Sequence, residues 1–362
     1  TVRVVLGKRI GVASGVVNTV DEARTLASRA RELAGIAAEL PDFVSLPGPS
    51  PVPAAPLEPA EDVLSATPAT RAELTSAALD IARRGAMTAA GALSTEWSAM
   101  AVANSLGVAA SRSWTRAHFH VVMQAEDSAG YAAAEGPSLA DARVVAVAQS
   151  AAEKARLGRN PVTLDPRPMT VVLEPVAAAK LTGFMAAFGF NALMYQQQQS
   201  FVCDLLGQRA CAPVLNLTDD GLDPRTYAAP FDYEGVPKQR VELIKDGVIA
   251  GLVYDSYTGG RADPPRPSTG HALPPPNTWG PVPTNLIVSP GEGSLRDLVA
   301  RVDRGLLVSR IHYLNVVHPR QMILTGMTRE GTFLIEKGEV VSGVRNLRFT
   351  ERFIEALSRL AM

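Results

Sequence analysis

From Leu181 to Cys203 the sequence "LTGFMAAFGFNALMYQQQQSFVC" carries no Asp, Glu, Lys, Arg or His. So long an uncharged stretch cannot be left in water, and an interior must be built around it. Its apolar part stops at Tyr195, where Gln196 to Gln199 and Ser200 follow; that is short of the roughly 20 mainly apolar residues a membrane span requires. Leu181, Phe184, Met185 and Phe188 recur at i, i+3, i+4 and i+7, with Ala192 one turn on, which predicts a helix burying one face. Between Leu181 and Asn191 no carboxylate, imidazole, thiol or amine occurs, so that part holds neither a zinc ligand nor a base.

A chain of 362 residues exceeds the size at which single cores stop growing, about 250 to 300 residues. Two domains are expected, 1–160 and 161–362, parted at the proline-rich "RNPVTLDPRP" near Gly158–Pro168. In the first, Val2 to Ser14 reads as two strands turning at Gly7-Lys8-Arg9, and Thr19 with Glu22 forms a capping box for the next helix. Ser45 to Pro59 is a proline-rich loop. A helix from about Pro68 to Arg84 starts at an N-cap Thr67, Met87 to Glu135 reads as a meander, and one helix is predicted over Ser138–Gly158. In the second domain "MTVVLEP" predicts a buried strand before the uncharged helix. Asp246-Gly247 suits a tight hairpin turn, Gly259 to Pro283 is a Gly/Pro-rich loop, and "LRDLVARVDRGLLVSRI" passes from helix to strand. Short strands follow, and a last helix is capped by Thr350. The class is α+β: two domains of mainly antiparallel or mixed sheets flanked by helices.

With 35 basic and 36 acidic side chains the formal charge is −1, so no basic stripe recommends nucleic acid as a partner. The first residues contain no long apolar segment, which argues against a signal peptide and for a cytoplasmic location. Cys203 and Cys211 are too few for a disulfide framework and read as free thiols. No G-x-S-x-G elbow, phosphate loop or dinucleotide fingerprint occurs.

Few residues are left as candidates. His118 and His120 share a strand face, a metal pair lacking a third ligand. His312 and His318 lie about 20 Å apart on a straight strand, too far to share an ion. Asp219, Asp220 and Asp223 in "LTDDGLD" lack the ordered oxygens of a calcium loop and read as a capped turn. Ser268, Thr269, Gly270 and His271 in "STGHA" make a loop of small residues that a ligand backbone can approach closely. They are the candidate substrate-binding residues.

Several long segments, in order, resemble the TldD/PmbA family: "PFDYEGVPKQRVELIKDGVIAGLVYDSYTG", "STGHA", "PTNLIVSPGEGSLRDLVARVDRGLLVSRI" and "TGMTREGTFLIEKGEVVSGVRNLRFTERFIEAL". "GKRIGVAS" before a capped helix fits as well. The resemblance implies a zinc peptidase built from two related chains. A TldD-type chain carries an H-E-x-x-x-H helix, whose histidines bind zinc and whose glutamate activates water, and a later cysteine. A TldE/PmbA-type chain shares the fold without the motif. Here the corresponding stretch reads "LTGFMAAFGFN", and no cysteine follows Cys211.

The resemblance therefore implies a TldE/PmbA-like, non-catalytic subunit of a heterodimeric TldD/TldE-type zinc metallopeptidase that degrades or processes unstructured peptides. No catalytic residue, metal ligand or cofactor is assigned to this chain, and zinc is expected in the partner. The expected partners are the TldD-type catalytic subunit and an extended peptide, with neither nucleic acid nor membrane. Two other readings stand: a homodimeric peptide- or ligand-binding protein, and a metalloenzyme using His118 and His120 to tailor a peptide natural product.

Overall fold

The computed structural model describes residues 1–361. The chain opens with a hairpin, β1 (Val2–Leu6) and β2 (Arg9–Ala13), turned at Gly7 with φ 61°. Against it lies α1 (Val20–Ile36), whose start is fixed by the predicted reciprocal cap: the Glu22 amide donates to Thr19 Oγ1, and the Thr19 amide to the Glu22 carboxylate. Gly11 permits the approach, since a Cβ there would stand 2.1 Å from the Ala30 carbonyl oxygen.

No helix or strand occurs between Phe43 and Ala60, as the prolines dictate. A short α2 (Glu61–Leu64), which the sequence did not announce, precedes α3 (Pro68–Arg84), capped by Thr67 as predicted. The meander is β3 (Thr88–Ala103), β4 (Ala109–Gln124) and β5 (Ala129–Gly136), antiparallel in that order. Along β4, Ala117, Phe119, Val121 and Met123 are buried at every second position, and they pack with residues of α3 and α4 (Val144–Leu157). The single helix expected over Ser138–Gly158 is interrupted. Ser138 and Asp141 close a 3₁₀ turn over Leu139–Ala142, Asp62 bonds Ser138 and Leu139, and Arg143 turns left-handed (φ 46°) before α4 begins.

The second half runs β6 (Thr170–Leu173), α5 (Pro175–Gly189), α6 (Ala192–Gln196), α7 (Val202–Leu205), β7 (Leu217–Asp219), β8 (Val241–Lys245), β9 (Val248–Ile249) and α8 (Ser256–Gly260). It continues with β10 (Leu286–Val288), α9 (Leu295–Ala300), β11 (Arg304–Val308), β12 (Ile311–His318), β13 (Ile323–Thr328), β14 (Thr332–Glu336), β15 (Glu339–Gly343), β16 (Arg348–Arg352) and α10 (Phe353–Ser358). Three sheets result, ordered β10-β7-β8-β9, β15-β14-β11-β6 and β12-β13-β16. Among the named strands the pairing of β6 with β11 is parallel and the rest are antiparallel. The fold class is therefore α+β, as expected. Asp246 and Gly247 both have positive φ (49° and 76°), the predicted hairpin turn.

Two expectations fail locally. "MTVVLEP" forms a sheet edge rather than a buried strand, and Val171 is 46% exposed, because β6 has β11 on one side only. Thr350 is no cap. It pairs with Thr325 inside β16, its hydroxyl donating to that of Thr325 (3.0 Å), and α10 starts at Phe353. No helix among the described residues is long and apolar enough to cross a membrane.

The halves meet through charged and aromatic groups. Lys154 Nζ of α4 donates to Glu174 Oε2 (2.5 Å) and the Tyr131 carbonyl (3.1 Å), while Ser309 Oγ donates to Glu174 Oε1 (2.7 Å). Arg310 stacks on the Tyr131 ring (4.0 Å).

Candidate functional site

The uncharged stretch runs through α5 and α6 and into the first residues of α7. In α5, Ala177, Leu181, Met185, Ala186 and Gly189 are buried, whereas Phe184 and Phe188 lie half-buried with their rings stacked at 6.2 Å. Gly189 is required by a close approach: a Cβ there would stand 2.0 Å from Phe201 Cε1. Asn191 then ends one helix and starts the next. Its Oδ1 accepts from the Leu193 and Met194 amides, and its Nδ2 donates to the Trp279 carbonyl (2.6 Å). Each polar side chain described here serves capping or packing. α5 carries no His, Cys, Asp or Glu side chain.

Beside it stands the opposite kind of site. Val253 bonds through its amide to the Phe190 carbonyl and accepts from the Ala192 amide. The next residue, Tyr254, holds the "STGHA" loop: its carbonyl accepts from the Thr269 amide (3.0 Å) and Ser268 Oγ (3.1 Å), and its amide donates to Thr269 Oγ1 (2.7 Å). Gly270 has φ 76°, and a Cβ on it would meet the Pro237 carbonyl oxygen at 2.4 Å. Only glycine fits.

Behind the loop His271 is buried, with Nε2 2.8 Å from Asp219 Oδ1 and Nδ1 3.0 Å from Thr269 Oγ1. Asp219 Oδ1 also accepts from Lys238 Nζ (3.3 Å), and its Oδ2 from the Asn285 amide (2.7 Å). Lys238 Nζ donates further to Thr284 Oγ1 (2.6 Å) and Asn285 Oδ1 (2.7 Å). Burial would raise the Asp219 carboxyl, but the His271 bond and the Lys238 charge outweigh it and hold the group below its ordinary range. Burial likewise pushes the His271 imidazole down despite the Asp219 bond. The charge pattern is ionised Asp219 against the Lys238 ammonium. His271 is then neutral, carrying its proton on Nε2 and accepting from Thr269 at Nδ1.

A second buried carboxyl closes the cluster. Asp232 accepts from the Ala272, Glu234 and Val236 amides (2.8, 2.9 and 3.0 Å). Burial pushes it up to about 7.

In front of the loop, Gln239, Arg240, Val241, Glu242, Ala250 and Gly251 line an open groove of about 530 Å³, with Thr269 as the loop's contribution. Of the four residues singled out from sequence, Thr269 thus reaches the groove, Ser268 and His271 point inward to fasten the loop, and Gly270 shapes it. Asp219 and Lys238 escaped notice. "LTDDGLD" read as one capped turn, and Asp220 and Asp223 do bond the Leu222 and Arg225 amides, but Asp219 ends β7 and points into the interior. Its signal was the apolar "VLNLT" directly before it. Lys238 in "PKQR" looks like a surface charge.

The other histidines do not converge. His118 and His120 stack at 5.1 Å. His318 Nδ1 accepts from the Gln321 amide (3.2 Å), and β12 carries two irregularities between His312 and His318 that break simple alternation. Among the described residues no three His, Cys, Asp or Glu side chains stand close enough to hold one ion. The donor set of the described residues does not fit a catalytic zinc centre.

Residues 166–362 match the model of the PmbA/TldA metallopeptidase C-terminal domain, and residues 56–159 that of the central domain. The Metalloprotease TldD homolog of Haemophilus influenzae is 26% identical over 61% of this chain, and the Metalloprotease PmbA homolog of that organism 28% identical over 59%. The matched regions are 46% and 45% of those proteins, so the chain spans under half the length of these curated relatives. The crystal structure of TldE from Thermococcus kodakarensis superimposes with a TM-score of 0.87 at 22% identity, over 99% of this chain and 82% of that one. On these matches the chain belongs to the TldD/PmbA metallopeptidase family and has a TldE-like fold.

Proposed function

We propose that this chain is the non-catalytic, TldE/PmbA-like subunit of a heterodimeric, cytoplasmic TldD/TldE-type metallopeptidase, which degrades or processes unstructured peptides with zinc supplied by the TldD-type partner. One observation carries the reading. The helix that the resemblance assigns to the zinc motif is built here from packing residues, Leu181 and Met185 inward and Phe184 and Phe188 beside them. Metal-assisted hydrolysis needs ligands and a base, and α5 carries no histidine, cysteine or carboxylate to serve as either.

In this reading the chain walls a chamber and steadies an extended substrate. The groove beside Thr269 has the small residues Ala250 and Gly251 in its wall, which let a ligand backbone approach closely. That suits a strand-like peptide, which binds by main-chain hydrogen bonds. Rigid support comes from the Asp219–Lys238–His271 network behind the loop.

The test is to purify the chain alone and together with a TldD-type chain, then assay an unfolded peptide. Activity and bound zinc are expected in the mixture, with a stable unlike pair on gel filtration. Peptidase activity from the lone chain that chelation abolishes would reject the proposal.

A further inference from the structure

One face of α5 is left uncovered. A helix apolar on all sides belongs in an interior, and Lys180 is the single charged side chain in α5. Leu181 and Met185 fill the core, but on the other side Val176 is 37% exposed, Lys180 is exposed, and a Cβ on Gly183 would meet nothing within 4 Å. A row of rings with an ammonium at its end runs along this side. Lys180 Nζ lies 5.1 Å from the centre of the Phe184 ring, the Phe184 and Phe188 rings are 6.2 Å apart and 27° from parallel, and Phe188 meets Trp279 edge-on at 5.6 Å.

The row is held from behind. Trp279 is 53% exposed although its backbone is fixed on both sides, the amide donating to Asn277 Oδ1 (2.8 Å) and the carbonyl accepting from Asn191 Nδ2 (2.6 Å). Phe184 and Phe188 pack against the core of the C-terminal half. An indole pinned in place yet left in water is preorganised, so a ligand that covers it spends little on ordering it. Lys180 makes no ion pair among the described residues.

These features define the shape and charge of an occupant. An extended peptide repeats its side chains on one face about every 6.6 Å, close to the spacing of the row. Three such side chains belong to five residues, a segment too short to hold a helix in water. Apolar and above all aromatic side chains suit the rings, and the unpaired ammonium calls for a carboxylate at the Lys180 end.

We propose that this row is a side-chain subsite for an extended peptide of the pattern acidic-x-apolar-x-apolar, with the acidic group at Lys180 and the two apolar side chains against Phe184, Phe188 and Trp279. The subsite rests on the reading of this chain as a wall that holds peptide, and it names the peptides that the wall prefers.

The test uses the full chain without a partner, so zinc plays no part in it. Acetylated, amidated peptides are titrated against the chain by calorimetry, and the emission of its tryptophans, Trp97, Trp114 and Trp279, is followed alongside. One peptide carries Glu-Ser-Phe-Ser-Phe and a second the reverse order. A third has the same composition with Glu and both Phe adjacent, and a fourth spaces them at every fourth residue. At least one alternating peptide is expected to bind about 5-fold or more tightly than the third and fourth, and to shift an emission component that Trp279→Phe removes. Trp279→Ala and Phe188→Leu should each weaken binding roughly 3–10-fold. Lys180→Gln should weaken it up to about 5-fold, an effect that high salt erases. If Phe188→Leu fails to fold, the exposed Trp279 still decides. Equal binding of all four peptides, tightest binding of the fourth, no binding at all, or an affinity unchanged in Trp279→Ala would overturn the proposal. So would a Trp279 emission shift on adding a TldD-type chain that then shuts the alternating peptide out, since the face would be a subunit contact. If no unlike pair forms while the lone chain binds as described, the heterodimer reading fails and the subsite stands. If the pair forms and cleaves peptide, yet the chain shows no preference for alternation, the subsite alone fails.

Discussion

Two adjoining regions of the C-terminal half solve opposite problems. Helix α5 is a place where the resemblance expects chemistry and the sequence supplies carbon. The "STGHA" loop is a place of small residues behind which Asp219, Lys238, His271 and Asp232 are all buried. Val253 and Tyr254, consecutive residues, hold one region each. The contrast teaches where this chain keeps its polar groups: away from any metal-ligand geometry and instead behind a groove wall. Apolar packing in α5 tolerates exchange among shapes, whereas a buried charged network fails when one member is removed.

That difference sets the order of expected effects. Asp219→Ala leaves Lys238 buried without its counter-charge and takes the acceptor from His271 and the Asn285 amide, so a loss of roughly 3–5 kcal/mol is expected in urea unfolding. In α5, Leu181→Ala should cost about 2–5 kcal/mol, and Phe184→Ala distinctly less because Phe184 is half-buried. Gly189→Ala drives a methyl into the Phe201 ring, an overpacking cost of about 1–3 kcal/mol that Phe201→Leu should partly relieve. If Asp219→Ala proved milder than Leu181→Ala, the two regions would not differ in kind. A loss on Gly189→Ala that Phe201→Leu does not relieve would show strain elsewhere in the helix.

Sequence revealed these regions unequally. Periodicity exposed α5, where Leu181 and Met185 are buried as spaced, but Phe184 and Phe188 are only half-buried and Ala192 falls in α6 beyond the break at Asn191; the Thr19 and Thr67 caps were legible because a cap is local chemistry. What failed was decided by distant partners. Thr350 has the chemistry of a cap, but pairing with β13 claimed it for a strand. Ser138–Gly158 has helical composition, but the turn bonded to Asp62 broke it. Within the site, His271 and its small neighbours stood out, whereas Asp219 and Lys238 did not. A buried ion pair between residues on different segments leaves no local pattern. The groove in front of Thr269 was invisible for the same reason, since it forms only where β8 passes the strand end at Ala250 and Gly251.

The smallest effect sharpens the comparison through pH. His271 is held below its ordinary value of 6.5. As pH falls under that value the unfolded chain binds a proton that the folded imidazole refuses, so stability is lost on acidification. Asp219, depressed below 3.8, adds its own loss only at lower pH. Asp232 works the other way. With its ordinary value of 3.8 raised to about 7, it contributes stability below 3.8 that is lost as pH rises toward about 7. Wherever both groups titrate between about pH 4 and 6.5 the two slopes have opposite signs, so each offsets part of the other in the wild-type profile. Each unit of displacement corresponds to about 1.4 kcal/mol. Urea unfolding across this range is expected to separate them: His271→Gln, whose amide can still donate to Asp219, should make stability rise as pH falls, and Asp232→Asn should make it fall. Slopes of the same sign in the two variants would mean that these carboxyl and imidazole groups do not titrate independently, and the network behind the loop would have to be treated as a single proton-binding unit.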